Sequence, residues 1–231
     1  MKASNSMWLN DALVSDPAIL SYRQSLLDAC PSHIIIDGLF DNAKLDEVIQ
    51  VLQQSQNWYP QKHTYSALYV DNTEWQNTRQ CQRFVQRDVW RRGISNPARE
   101  FLTFLRGDEF MSLLSCIFDV TLTDVNVAAP DINTNFFRLA TTDFVEQHAD
   151  DSPGREVCML LYLNKNWSAK AGGELGFRGV VEGQDLTIAP LYNRCVLFDP
   201  ASPGSEHWVE KLHTTDTDSY RYNVTSWYWQ E

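Results

Sequence analysis

Leu45, Val48, Ile49 and Leu52 recur at i, i+3, i+4 and i+7, which predicts an amphipathic helix from Asn42 to Gln53. Just before it, Ile34-Ile35-Ile36 reads as a short buried strand, ended by the turn residues Asp37-Gly38. A second helical block runs from Pro97 to about Phe118, broken near Gly107-Asp108, with Phe101, Leu105, Phe110, Leu113, Leu114 and Ile117 facing inward. After Thr121 the period falls to two. Asp124 to Ala129, Ile132 to Ala140, Val157 to Leu163, Asp185 to Ile188, Cys195 to Phe198 and Tyr220 to Trp229 all read as strands. Asp151-Ser152-Pro153-Gly154 and Pro200 to Gly204 supply turns between them. Helices followed by many short strands predict an α+β architecture, a double-stranded β-helix (jelly-roll) core with N-terminal and packing helices. No linker or repeat divides the chain. A single domain over 1–231 is expected, mixed and helical to about residue 120 and jelly roll from about 121.

Composition narrows the class. The 231 residues, 43% apolar and 12% aromatic, suit a globular core. A net charge of −11 argues against tracking nucleic-acid phosphates, so no nucleic-acid partner is expected. Met1 to Leu20 lacks a basic start followed by an apolar core, and no run approaches the roughly 20 residues of a membrane span. Cys30, Cys81, Cys116, Cys158 and Cys195 are odd in number and scattered, without a CxxC pair. They read as reduced and mostly buried thiols in a cytoplasmic protein, not as zinc ligands.

The chemistry concentrates late in the chain. In an extended strand alternate side chains share a face, so His148 and Asp150 point the same way and can grip one metal. Two histidines and a carboxylate are the ligand set of non-haem Fe(II) oxygenases. His207 is preferred as the second histidine because it follows a buried strand and a Pro-Gly turn, with apolar Val209 two residues on. His213, in a polar Thr/Asp-rich stretch, is the alternative. Arg221, Asn223, Thr225 and Trp227 share one face of a later strand, and an arginine buried among aromatics needs an anion. A guanidinium engages a ligand carboxylate by two parallel hydrogen bonds. His33 and His63 have no partners in the local sequence and read as structural. Gly172-Gly173 reads as a tight turn or a close backbone approach.

From about Phe136 to Trp229 these motifs, with Leu161-Tyr162-Leu163-Asn164-Lys165, Ala171-Gly172-Gly173-Glu174-Leu175 and Asn193-Arg194-Cys195-Val196-Leu197-Phe198, follow a family order. The chain resembles the Fe(II)/2-oxoglutarate-dependent dioxygenases, specifically the prolyl-4-hydroxylase-like branch that includes the hypoxia-inducible-factor prolyl hydroxylases. The resemblance implies that His148, Asp150 and His207 bind Fe(II) and that Arg221 pairs with the distal carboxylate of 2-oxoglutarate. Tyr162 and Thr225 would add hydroxyl hydrogen bonds, and Val209 an apolar contact. O2 is the second co-substrate, and ascorbate fits as an auxiliary reductant. The implied reaction is hydroxylation of an unactivated C–H bond with release of succinate and CO2, on a peptide, protein or small-molecule substrate.

Two departures stand out: a longer segment between His207 and Arg221, and Arg138 where relatives carry a tyrosine near the metal. Arg138 and Arg155 are the expected substrate contacts. Residues 57–92, polar and aromatic with a few strands of their own, stand where this fold places a lid. A cupin-like metalloenzyme would not need Arg221, and a non-catalytic iron or 2-oxoglutarate sensor would not need the intact ligand set.

Overall fold

The computed structural model describes residues 7–91, 93, 95–123, 133–213 and 220–230. Among the described residues five α-helices precede most of the strands: α1 (Asp16–Asp28), α2 (Asn42–Gln54), α3 (Asn72–Asn77), α4 (Pro97–Leu105) and α5 (Asp108–Phe118). Helix α2 starts where the Asp41 carboxylate accepts from Lys44 N at 2.9 Å. Its stripe of Leu45, Val48, Ile49 and Leu52 is buried, as the spacing predicts. Asn96 caps α4 in the same way and Pro97 opens it, while Gly107 separates it from α5. All six apolar residues expected to face inward from this block are buried.

The strands are β1 (His33–Asp37), β2 (Trp58–Thr64), β3 (Arg83–Trp90), β4 (Leu122–Thr123), β5 (Thr134–Leu139), β6 (Phe144–His148) and β7 (Arg155–Tyr162). Then come β8 (Leu175–Phe177), β9 (Leu186–Ile188), β10 (Arg194–Phe198), β11 (His207–Val209) and β12 (Arg221–Gln230). They form one curled, antiparallel sheet in the order β1-β10-β7-β12-β5-β3-β6-β11-β8-β9, with β2 on β3 and β4 on β12. This is the double-stranded β-helix core predicted from the sequence.

Alternation sorts the strands between two cores. Val157, Met159 and Leu161 of β7 and Val224 and Tyr228 of β12 pack toward the helices, beside Phe101 and Phe110. Cys158, Leu160 and Tyr162 face the inside of the curl with Phe177 and Phe198. Both faces of β7 are therefore buried, which explains its unbroken apolar run. The inner face carries the polar residues of the site.

Two expectations change. Ile34-Ile35-Ile36 is not a fully buried strand: β1 is an edge, and Ile35 is 42% exposed between Ile34 and Ile36 at 5% and 2%. Cys30 and Cys81 are exposed, so the five free thiols are not mostly buried. The polar-aromatic stretch 57–92 carries the few strands expected of it: β2 and β3 pair with each other, α3 lies between them, and β3 is built into the sheet beside β5 and β6. The expected strand Asp124 to Ala129 lies outside the described residues.

Candidate active site

Strand pairing, more than sequence spacing, assembles the site. His148 ends β6, and its direct partner across the ladder is His207, the first residue of β11. Their ring centroids lie 4.4 Å apart. Asp150 follows two residues after His148, and one ligand atom from each of the three residues falls within 4.8 Å of the others. His148 Nδ1 meets the Glu146 carbonyl at 2.8 Å, and His207 Nδ1 meets the Ser205 carbonyl at 3.0 Å. A carbonyl only accepts, so each Nδ1 carries the hydrogen and each Nε2 keeps its lone pair for a metal. Burial, the largest influence, together with the neighbouring His148 pushes the pKa of His207 down to about 4, which keeps that ring neutral.

Asp150 is clamped from three sides. Trp227 Nε1 donates to Oδ2 at 2.7 Å, Cys158 Sγ lies 3.8 Å from the same oxygen, and Arg155 Nη1 stands 3.3 Å from Oδ1. Burial alone would raise this carboxyl. The two histidines, Arg155 and the Trp227 indole outweigh it and hold the pKa below the ordinary value. Asp150 is thus an anion pointed at the histidines.

A second cluster lies along the inner face of β12. Arg221 is 4% exposed; its Nε donates to the Gly173 carbonyl at 2.7 Å and its Nη1 to Asn223 Oδ1 at 2.9 Å. Asn223 Nδ2 in turn donates to Thr225 Oγ1 at 3.0 Å. These contacts confirm that Arg221, Asn223 and Thr225 share one face. Arg221 Nη2 is buried with no partner among the described residues, and so is the hydroxyl of Tyr162, whose ring lies 4.9 Å from the guanidinium carbon. Burial pushes the Tyr162 pKa up to about 12, so it remains a donor. Two orphaned donors beside a buried cation fit a carboxylate. The close approach expected at Gly173 is onto this cation: at φ +81°, a Cβ there would stand 2.9 Å from Arg221 Cδ.

Both clusters open into one cavity of about 690 Å3, whose wall also includes Val209, Leu139, Val145, Arg87 and His63. Tyr65, Leu68 and Tyr69 line it from the connection after β2 and are 61%, 70% and 63% exposed. The cavity receives His148, Asp150, His207, Arg221, Thr225 and Val209, all singled out in the sequence, while Tyr162 lies behind the wall against Arg221.

It does not receive Arg138. Across the β5–β12 ladder Arg138 is opposite Tyr222, one residue out of register with Arg221 and Leu139, so it points to the other face. There it pairs with Asp88 at 2.9 Å and stacks on Tyr220 and Trp58. Arg155 reaches the cavity wall, but its charge is committed to Asp150, where Nη1 also donates to the backbone carbonyl at 2.7 Å. The contact it makes is with Asp150, not with the cavity space. His213 is exposed and not part of the cluster. Sequence reasoning missed Arg87 and set aside His63. Period-two counting along β3 would have placed Arg87 on the same face as Val85, which is buried in the cavity wall.

The donor set N, N, O and the orphaned groups around Arg221 fit Fe(II) and 2-oxoglutarate. Residues 134–229 match the family model described as the 2OG-Fe(II) oxygenase superfamily. The mouse prolyl 3-hydroxylase OGFOD1 is 25% identical over 138 residues, which is 58% of this chain and 24% of that protein. The chain thus spans about a quarter of that relative's length. A Trichoplax adhaerens prolyl hydroxylase, solved with a hypoxia-inducible-factor peptide, shares the fold with a TM-score of 0.65 at 19% identity, covering 94% of both chains. A Pseudomonas putida prolyl-4-hydroxylase does so at 0.59 and 17%, covering 92% of this chain and 99% of that one. Residues 134–229 are thus similar to the 2OG-Fe(II) oxygenase superfamily, and the chain shares its fold with solved prolyl hydroxylases.

Proposed function

We propose that this protein is a Fe(II)- and 2-oxoglutarate-dependent hydroxylase that acts on an unactivated C–H bond of a prolyl or other amino-acid-type substrate, in a peptide or a small molecule. The observation that carries the reading is one cavity holding both a His-Asp-His ligand set and a buried arginine with an unused nitrogen. When bound, iron and 2-oxoglutarate supply the oxidising equivalents: one oxygen atom of O2 enters the substrate as hydroxyl, and the other leaves in succinate, with CO2.

The chain's own residues bind, orient and exclude water. His148, Asp150 and His207 hold the metal on one side, and the backbone carbonyls at Nδ1 together with Arg155 and Trp227 fix their orientation. Arg221 Nη2 and the Tyr162 hydroxyl receive the distal carboxylate of 2-oxoglutarate. Thr225 Oγ1 already accepts from Asn223, so its own hydrogen is directed to that carboxylate. Val209 and Leu139 give the co-substrate's methylenes an apolar wall. The exposed aromatic and apolar residues at the mouth support a peptide substrate, and the net charge of −11 supports no nucleic-acid partner. No described helix is long and apolar enough to cross a membrane, and the five free cysteines support a cytoplasmic location.

Anaerobic titration with Fe(II) and then 2-oxoglutarate tests the assignment through the weak visible charge-transfer band expected of the chelate. H148A, D150A and H207A should each abolish the band, while H213A should leave it in place. A band that survives H207A but not H213A refutes the ligand set. A wild-type protein that binds Fe(II) without any response to 2-oxoglutarate favours a cupin-like enzyme.

A further inference from the structure

Arg87 is a third cation in the wall of the metal cavity, and none of the roles assigned above uses it. It lies on β3 opposite Gln61 of β2, and its Nε donates to Gln61 Oε1 at 2.8 Å. Its guanidinium carbon sits 3.4 Å from the centroid of the Phe137 ring, which fixes the plane of the group. Nη1 and Nη2 make no hydrogen bond and no ion pair among the described residues. Burial pushes the guanidinium down to a pKa of about 9, with Asp150 opposing the shift and Arg221 adding to it. The side chain therefore lies in the field of both the metal carboxylate and the co-substrate arginine.

Arg87 is half-buried and presents Nη1 and Nη2 to the cavity, and no carboxylate among the described residues pairs with them. Asp150 is held by Arg155 and Trp227 and turned toward the histidines. Asp88, the next residue, faces the opposite side of the strand and pairs with Arg138. The co-substrate does not supply one either, on the functional reading above: one carboxylate goes to the metal and the other to Arg221. Only the primary substrate remains.

We propose that Arg87, oriented by Gln61 and Phe137, is the anchor for a carboxylate of the primary substrate, the free α-carboxylate of an amino acid or peptide terminus or an acidic side chain beside the target residue. The planar fork suits two parallel hydrogen bonds to such a group. This assignment rests on the oxygenase reading and adds the substrate class to it.

Binding under turnover-free conditions tests it, with Mn(II) in place of Fe(II) and saturating 2-oxoglutarate. The probes are matched pairs: L-proline against L-prolinamide, N-acetyl-alanyl-proline against its amide, and N-acetyl-aspartyl-prolinamide against N-acetyl-asparaginyl-prolinamide. The wild type should prefer the carboxylate of at least one pair by roughly 30-fold or more, and the pair that does so identifies the source of the group. R87Q should lose that preference and R87K should keep part of it. Wild-type protein that binds 2-oxoglutarate normally but favours no carboxylate overturns this proposal alone. So does an R87Q protein whose 2-oxoglutarate Kd rises as much as its probe Kd, since that places Arg87 on the co-substrate. Failure of the wild type to bind 2-oxoglutarate removes the oxygenase reading and this one together.

Discussion

The nitrogens of Arg221 are committed unequally: Nε and Nη1 to the protein, Nη2 to nothing among the described residues. Arg221→Ala therefore removes a ligand group and leaves the Gly173 carbonyl and Asn223 amide to rearrange. Losing one partner of a buried charge pair costs about 2–5 kcal/mol, so 2-oxoglutarate should bind roughly 30-fold more weakly or worse. Calorimetry with Mn(II) present reads this directly, and metal affinity should persist because the ligand triad does not touch Arg221. His63 gives a pH effect at the same scale. Its ring packs against Tyr69 and Phe84, and Nε2 is buried with no partner. Burial first, then the charges of Arg87 and His148, depress its pKa to about 4 in the folded chain. The unfolded chain takes up a proton near pH 6.5, before the native state does. This contribution to stability is full above pH 6.5 and is lost as pH falls toward 4. Between pH 7 and 5 the wild-type Tm should drop more steeply than that of H63F, and parallel curves would discard the argument. His148 with Asp150, and Arg221 with Asn223 and Thr225, were legible in the sequence because two-residue spacing survives any register, whereas His207 was legible only from the strand and turn before it. Arg138 misled because one position of register decides which face a side chain takes, and pairing register is not written locally.

At the scale of elements, the turn before β8 does for Arg221 what the β6–β11 ladder does for the histidines. Gly173 lies at φ +81°, and a Cβ there would come 2.8 Å from Leu212 Cδ2 and 2.9 Å from Arg221 Cδ. Gly173→Ala combines left-handed strain of about 1–3 kcal/mol with a push on the arginine stem. Its Tm should fall by several degrees, and 2-oxoglutarate should bind more weakly while metal binding persists. Gly183 is the control, because its φ is +77° and nothing lies within 4 Å of its Cβ position. G183A should cost stability without touching 2-oxoglutarate affinity. If both variants bind the co-substrate like wild type, the contact at Gly173 is not functional. Helices α2, α4 and α5 were readable because their apolar stripes are complete on one face. Helix α1 was not: only Ile19 and Leu26 of it are buried, while the apolar Leu20 and Leu27 are 65% and 81% exposed. Strands β8, β9 and β11 have three residues each, and of these only β9, with its Leu186-Thr187-Ile188 alternation, was read from the sequence.

For the whole molecule, the order of the sheet matters more than the extent of the family match. That match begins at residue 134, yet the strand seated between β5 and β6 is β3, from residues 83–90. At the other end β1, residues 33–37, closes the sheet against β10. The helices bury the outer face of β7 and β12 in a single cluster that also contains Trp8, Phe40 and Phe101. The N-terminal part thus supplies strands and a wall to the core, and we propose that residues 1–231 fold as one domain. Two expectations follow from this. Thermal or urea unfolding should be one transition, with the same midpoint by tryptophan fluorescence and by far-UV circular dichroism. A fragment of residues 121–231 should fail to fold or to bind metal: without β3, strands β5 and β6 each expose an unpaired edge, and His148 loses the strand that aligns β6. A soluble fragment that binds Mn(II) and 2-oxoglutarate with wild-type affinity would show that the N-terminal strands are accessory to a self-sufficient core. The position of β3 argues against that outcome, since the strand that would carry the substrate anchor Arg87 also holds the metal-bearing strand in place.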